Sequence, residues 1–267
     1  MSRFLDRLEQ ITEGVQAPLG FGVQRGQKTP GMALVGLVPG GSASAVATLA
    51  DLKPDAALIS GVDNPAALKD LCQPLGDDVP WGARVLSLSE ESSQAYEEAG
   101  CDLLAFVLQG TTVTAVGSEE IARVLCLDHE IDVDRLRAID ALPIDVLLLS
   151  PAWGVTGSGS PLTLEDLAAI AQVSCRVDKY ILLETNRVLG AKELEALRNT
   201  GVNGLAVDPE LVTSDSLGDL KAALLDMPRH RPNRKGRAMA LLPRSAFPSS
   251  GDQEPAEPEP EPDEDDY

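Results

Sequence analysis

Two groups of residues in this sequence have the types and spacing that proton transfer requires. Asp128, His129 and Glu130 are consecutive, and a histidine beside carboxylates can act as a general base near neutral pH. Glu184 ends an apolar run, where partial desolvation suits a carboxylate to the same task. Each group also has a structural interpretation, the first as a solvated loop and Glu184 as the ion-pair partner of Arg187. Asp128, His129 and Glu184 are the predicted catalytic residues.

These residues follow short apolar runs that recur along the chain. Eight runs of four to seven residues are apolar for most of their length, as expected for strands buried on both faces. They cover residues 32–38, 56–60, 83–88, 103–108, 123–127, 146–150, 180–184 and 205–208. Stretches that are mostly helix-like alternate with them, which indicates parallel strands joined by right-handed crossovers. Eight such units predict a single α/β domain, a (β/α)8 TIM barrel.

A doubly wound open sheet is the alternative architecture. It would need a glycine-rich phosphate loop after the first strand, and the sequence PGGS at 39–42 lacks the GxGxxG spacing. A weak internal repeat favours the barrel, because an Asp or Asn precedes every second apolar run. These residues are Asp55, Asp102, Asp145 and Asn203, at intervals of 43 to 58 residues.

The two ends of the chain differ from the segment between them. Apolar residues at helical spacing predict an amphipathic helix over residues 2–14, which can cover the bottom of the barrel or mediate formation of a homo-oligomer. The N-terminal helix and its lead-in are assigned to residues 1–31 and the barrel to residues 32–228. Residues 229–267 are first basic and then rich in Glu and Pro, which predicts a disordered tail.

The composition excludes several classes of function. The chain has 42 acidic and 22 basic residues and a net charge of −20, which argues against nucleic-acid binding. No apolar run reaches the ~18 residues of a membrane span, so no membrane partner is expected. The four cysteines lack CxxC spacing, and the N-terminus shows no secretion signal. We therefore expect a cytoplasmic protein without a disulfide framework or a zinc site.

Polar residues at the ends of the apolar runs predict a small-molecule site, because TIM barrels bind ligands at the C-terminal ends of their strands. A glycine- and serine-rich loop at 153–160 can act as a lid over that site. The predicted ligand-binding residues are Ser60, Gln109, Trp153, Asn186, Arg187 and Asp208. Scattered carboxylates could also offer oxygen ligands to Mg²⁺, but in so acidic a chain they predict no metal site, and the cofactor stays open.

Residues 181–208, ILLETNRVLGAKELEALRNTGVNGLAVD, resemble the last quarter of the ribulose-phosphate-binding, aldolase-type TIM barrels. That family has an apolar strand, a glycine pair, a helix, a turn and a final apolar strand that ends on glycine. The resemblance implies a barrel of the aldolase type that binds a phosphorylated ligand on backbone N–H groups. This chain departs from the family, since Thr185, Asn186 and Arg187 replace the glycine pair and Asp208 replaces the last glycine.

Two classes of function stay open. A lyase or isomerase would move a proton with Glu184 or His129 and hold an anionic group with Arg187. A catalytically degenerate barrel would bind a ligand or a protein partner without turnover. The polar residues at the strand ends favour the enzyme. The missing glycines favour the degenerate barrel. None of the eight predicted strands contains a lysine, which a Schiff-base aldolase needs, and this too favours the degenerate barrel.

Overall fold

The apolar runs are the strands of one closed barrel. The structure, a computed structural model, describes residues 1–13, 29–128, 133–150 and 161–227. Its eight parallel strands pair in chain order, and β8 closes on β1. The strands are β1 (Ala33–Val38), β2 (Ala56–Ser60), β3 (Trp81–Arg84), β4 (Leu103–Phe106), β5 (Ala122–Leu127), β6 (Val146–Leu149), β7 (Tyr180–Thr185) and β8 (Gly204–Val207). The predicted TIM barrel is confirmed, and the open sheet is wrong.

Helices surround the barrel, one after every strand except β4, which is followed by a 3-10 turn at Val113–Val116. The helices are α1 (Arg3–Glu13), α2 (Ala43–Leu52), α3 (Pro65–Cys72), α4 (Glu90–Ala99), α5 (Val133–Asp140), α6 (Leu164–Ser174), α7 (Ala191–Thr200) and α8 (Ser214–Asp226). Side-chain caps fix several helix starts. Asn64 accepts a hydrogen bond from the N–H of Ala66, and Thr163 and Asp166 form a reciprocal capping box.

The third strand differs from its prediction over 83–88, because it begins at Trp81 and ends at Arg84. Gly82 explains the error, since glycine usually indicates a turn. Here a Cβ atom at position 82 would lie 1.7 Å from the carbonyl oxygen of Leu103, so only glycine allows β3 and β4 to pair. The strand therefore reaches the C-terminal edge of the barrel four residues earlier than the apolar pattern suggests.

Helix α1 closes the N-terminal end of the barrel. Phe4 and Leu8 are fully buried and pack with the inward-facing side chains of the strands, such as Leu58 and Leu148. Leu5 and Ile11 are half-buried against the same cluster. The predicted helix is thus confirmed in position, and its apolar face is part of the core.

The repeated Asp or Asn residues join neighbouring strands at the N-terminal edge. Three of them accept a hydrogen bond from a backbone N–H of the preceding odd-numbered strand. The pairs are Asp55 with Leu34 (2.9 Å), Asp145 with Arg123 (2.9 Å) and Asn203 with Ile181 (2.7 Å). Asp102 instead accepts from the N–H groups of Arg3 and Phe4, both at 2.9 Å, and so caps α1. Asp102, the second copy of the repeat in chain order, thus holds the helix that closes the barrel.

Parts of the predicted organisation lie outside the described residues. These parts, which stay predictions, are the tail at 229–267, the boundary at 228 and most of the lead-in before β1. Within the ranges that the structure describes, no helix is both long and apolar enough to cross a membrane.

Candidate functional site

An arginine and a glutamate meet across the mouth of the barrel. Arg84 ends β3, and Glu184 lies one residue before the end of β7, with three strands between them on either side. Arg84 Nη1 lies 3.0 Å from Glu184 Oε2, and the two side chains are 33% and 16% exposed. Withdrawing a charge from water costs several kcal/mol per ion, even when a partner is present. This pair is therefore the leading candidate for a functional group in the barrel.

The thiol of Cys126, on the inner face of β5, is the third member of this cluster. Burial raises the pKa of Cys126 to about 11, and the Arg84 cation only partly opposes that effect. Burial by itself would lower the pKa of Arg84. The interactions of the guanidinium with Cys126 and Glu184 outweigh burial, so the pKa of Arg84 is raised. At neutral pH the site thus contains a permanent cation and a protonated thiol, which is a poor nucleophile.

Two cavities adjoin this cluster at the C-terminal ends of the strands. The larger, of about 910 Å³, and the smaller, of about 80 Å³, share Ser60 and Arg84. The larger is also lined by two other predicted residues, Gln109 and Asp128. The smaller is lined by Glu184 and by two further predicted residues, Asn186 and Asp208. The structure therefore places six of the nine predicted site residues around one mouth.

The wall of the larger cavity combines apolar side chains with a few polar atoms. Val85, Leu108, Leu127 and Leu148 supply much of its apolar surface. Ser150 also lines it, and the buried Oγ of this residue has no hydrogen-bond partner among the described residues. Mostly apolar walls with a small number of polar groups are typical of small-molecule sites.

Arg187 does not pair with Glu184, contrary to the structural interpretation of Glu184. Its guanidinium binds Glu193 in α7, with Nη2 2.8 Å from Oε1 and Nη1 3.2 Å from Oε2. Glu193 also accepts hydrogen bonds from the backbone N–H groups of Leu162 and Gly190. The bond from Arg187 is the largest cause that lowers the pKa of Glu193, to about 2. Arg187 thus stabilises the start of α7, and it does not line either cavity of the mouth.

Two carboxylates of the chain itself lie at helix starts, one of them following β7 and the other following β8. Glu193 caps the N-terminus of α7, as described above. Glu210, which follows β8, accepts hydrogen bonds from the hydroxyls of Ser42 and Ser44 at the start of α2. Anions are stabilised at helix N-termini, and here that place is taken by side chains. These two helix starts are therefore already occupied by internal anions.

Two predicted residues, His129 and Trp153, lie outside the described residues, as do Glu130 and the loop at 153–160. Arg84 and Cys126 are the functional candidates that the sequence reasoning missed. Arg84 is a charged residue within an apolar run, which is a weak signal, and Cys126 lies within another, where cysteine commonly packs as a small apolar residue. Within the described ranges, no group of three His, Cys, Asp or Glu side chains could hold a metal ion.

Comparisons with known proteins identify the fold and nothing narrower. No protein-family model matches the chain, and no curated protein matches it. A protein of Aquifex aeolicus VF5 is similar over 86% of this chain and 100% of its own, with 13% identity and a TM-score of 0.57. A mutant tryptophan synthase alpha-subunit from Pyrococcus furiosus is similar over 72% and 96%, with 10% identity and a TM-score of 0.51.

Tryptophan synthase from M. tuberculosis, in an aminoacrylate- and BRD0059-bound form, is similar over 72% of this chain and 92% of its own. The identity is 13% and the TM-score 0.50. These likenesses confirm the TIM-barrel fold that the resemblance of residues 181–208 implies. Fold likeness at this identity carries no activity with it.

Proposed function

We propose that this protein binds a small anionic metabolite at the mouth of the barrel and acts on it as a lyase or isomerase. The observation that carries the proposal is the ion pair between Arg84 and Glu184 at 3.0 Å, beside a cavity of about 910 Å³. Arg84 supplies the charge that attracts the anion, a role that the sequence had suggested for Arg187. Glu184 supplies a carboxylate that can move a proton.

The other predicted residues support this assignment by their positions. Ser60, Asn186 and Asp208 line the smaller cavity with Glu184 and can hold the polar groups of a metabolite. Gln109 and Asp128 line the larger cavity, where Ser150 Oγ, which has no partner among the described residues, offers a further hydrogen bond.

The first test is a thermal-shift screen of the full chain against small carboxylic acids and phosphorylated sugars. A ligand that binds only the folded state raises the melting temperature. We expect stabilisation by anions in the wild type and none in Arg84→Met. Arg123→Met is the matched control, because Arg123 forms a similar ion pair with Asp145 at the N-terminal edge. It should lower the melting temperature but keep the ligand-induced rise, whereas stabilisation that persists in Arg84→Met would refute the proposed site.

The second test separates catalysis from binding. For each stabilising compound, proton NMR in D2O would follow exchange of the C–H protons next to its acidic group. A lyase or isomerase that works by proton transfer should catalyse this exchange, and Glu184→Gln should stop it. Wild-type protein that binds a compound without any exchange would favour the degenerate barrel. The internal carboxylates Glu193 and Glu210 near the family phosphate position are the observations that support this second candidate.

A further inference from the structure

We propose that Glu184 is an internal anion, held on Arg84 until the carboxylate of a ligand replaces it. The inference rests on the proposed function, because it concerns the same site. It adds the class of ligand, a monocarboxylate with an apolar substituent. It also makes Arg84 the residue that binds the carboxylate of this ligand.

The position of Arg84 between the two cavities is the first argument. Arg84 lines both of them, whereas Glu184 lines only the smaller one. A guanidinium has five N–H donors in a planar fork, and Glu184 accepts one hydrogen bond from it, at Nη1. A ligand carboxylate that approaches from the larger cavity can form two parallel hydrogen bonds with this fork. Such a ligand has more to gain from Arg84 than the single contact with Glu184 provides.

The charges around the mouth favour a monocarboxylate over a phosphate ester. Two arginines, Arg84 and Arg135, line the cavities. They are outnumbered by four carboxylates, at Asp63, Asp128, Glu184 and Asp208, so a bound anion meets a net negative charge. A phosphate monoester carries about 1.5 to 2 negative charges at pH 7, and the repulsion grows with that charge. Arg187, the cation that could have offset it near the family phosphate position, is engaged by Glu193.

The apolar wall indicates what the rest of the ligand must be. Val85, Leu108, Leu127 and Leu148 line the larger cavity beside Arg84. A ligand that placed its carboxylate on Arg84 would bury its other atoms against these side chains, and burial of apolar surface favours binding. Leu86, which is 84% exposed, continues this surface at the rim.

The test uses the full-length protein and four probes: phenylacetate, its uncharged analogue phenylacetamide, phenyl phosphate and acetate. Dissociation constants would be measured by calorimetry on the wild type, Glu184→Gln and Arg84→Met. If Glu184 competes with the ligand, Glu184→Gln should bind phenylacetate about tenfold more tightly, since one charge-assisted hydrogen bond no longer opposes binding. Arg84→Met should lose phenylacetate binding, and the affinity for phenylacetamide should be the same in wild type and Glu184→Gln. Acetate should bind more weakly than phenylacetate, because it lacks the apolar group.

Asp145→Asn is the matched control. It removes a carboxylate from the Arg123–Asp145 pair, which is buried to a similar degree at the opposite end of the barrel. Its affinity for phenylacetate should equal that of the wild type, and circular dichroism should show that all variants are folded.

Three outcomes would overturn the inference. If the wild type binds phenylacetate and Glu184→Gln binds it equally or less tightly, Glu184 does not compete for Arg84, while the proposed function survives. If phenyl phosphate binds more tightly than phenylacetate, the class of ligand is wrong. If neither the wild type nor Glu184→Gln binds any of the anions, the proposed anion site fails and the inference fails with it.

Discussion

Replacing Asp102 by Asn tests whether one carboxylate holds the helix that closes the barrel. Asp102 is buried, and both of its oxygens accept hydrogen bonds from the start of α1. Oδ1 accepts from the N–H of Arg3 at 2.9 Å, and Oδ2 accepts from the hydroxyl of Ser2 at 2.8 Å and the N–H of Phe4 at 2.9 Å. An asparagine has one oxygen, so an NH2 group would face at least one of these donors.

The expected loss follows from these contacts. A buried donor left without a partner costs about 1–3 kcal/mol. Loss of a negative charge at a helix N-terminus adds about 0.3–1 kcal/mol. We therefore expect Asp102→Asn to lower the free energy of unfolding by about 2 kcal/mol. For a chain of this size that corresponds to a fall of about 4–8 °C in the melting temperature.

Asp55→Asn is the matched control, because Asp55 occupies the equivalent position before β2. Its carboxylate accepts a single backbone bond, from Leu34, which an asparagine can also accept, as Asn203 does from Ile181. Asp55 also lies 3.6 Å from the partly exposed guanidinium of Arg7 in α1. Burial outweighs that attraction and raises the pKa of Asp55, so loss of its charge costs little. Urea unfolding of both variants should show a clear loss for Asp102→Asn and less than about 1 kcal/mol for Asp55→Asn. Equal losses in the two variants would refute the capping argument.

Three further predictions concern Glu193, the cysteines and the tail. Because the folded pKa of Glu193 is lowered to about 2, its contribution should be present above pH 4.5 and disappear as the pH falls towards 2. Solvent screens this partly exposed pair, so we expect a contribution of about 1–2 kcal/mol. The stability difference between wild type and Glu193→Gln, measured by urea unfolding at several pH values, should shrink over that range, and a constant difference would contradict it. A thiol reagent at pH 8 should label Cys175, which is exposed, and leave Cys126 unmodified until urea is added, with mass spectrometry identifying the labelled site. Deletion of residues 238–267 should leave the melting temperature unchanged. A fall of several degrees would show that the predicted boundary at 228 is wrong.

The barrel could be predicted because its strands are buried on both faces. Each strand of such a barrel is apolar over most of its length, so eight runs separated by helical stretches were enough to indicate the topology. Gly82 marks the limit of that reasoning, because its role depends on the carbonyl of Leu103 in the neighbouring strand. Glycine that allows two strands to approach and glycine in a turn look the same in a sequence.

The repeat of Asp and Asn residues was visible in the sequence, but its partners were not. Asp55, Asp145 and Asn203 accept a backbone hydrogen bond from the preceding strand, whereas Asp102 accepts its backbone hydrogen bonds from the start of α1. The one contact of Asp55 with α1 is an ion pair with the side chain of Arg7. All four residues precede an even-numbered strand, so local sequence gives no reason to expect the difference. It arises because α1 lies against the bottom of the barrel and brings unpaired N–H groups to Asp102.

The candidate site shows the same limit at longer range. Arg187 is three residues from Glu184 in the sequence and was the natural partner to propose, whereas Arg84 is 100 residues away. The hydrogen bonds of Thr185 determine the direction of Arg187. Its hydroxyl accepts a hydrogen bond from the N–H of Arg187 and donates one to the carbonyl oxygen of the same residue, so the chain turns immediately after β7. That turn directs Arg187 towards Glu193, while closure of the barrel brings Arg84 from the opposite strand to Glu184. The cation that pairs with Glu184 is therefore determined by the closed topology, which no spacing between nearby residues could have indicated.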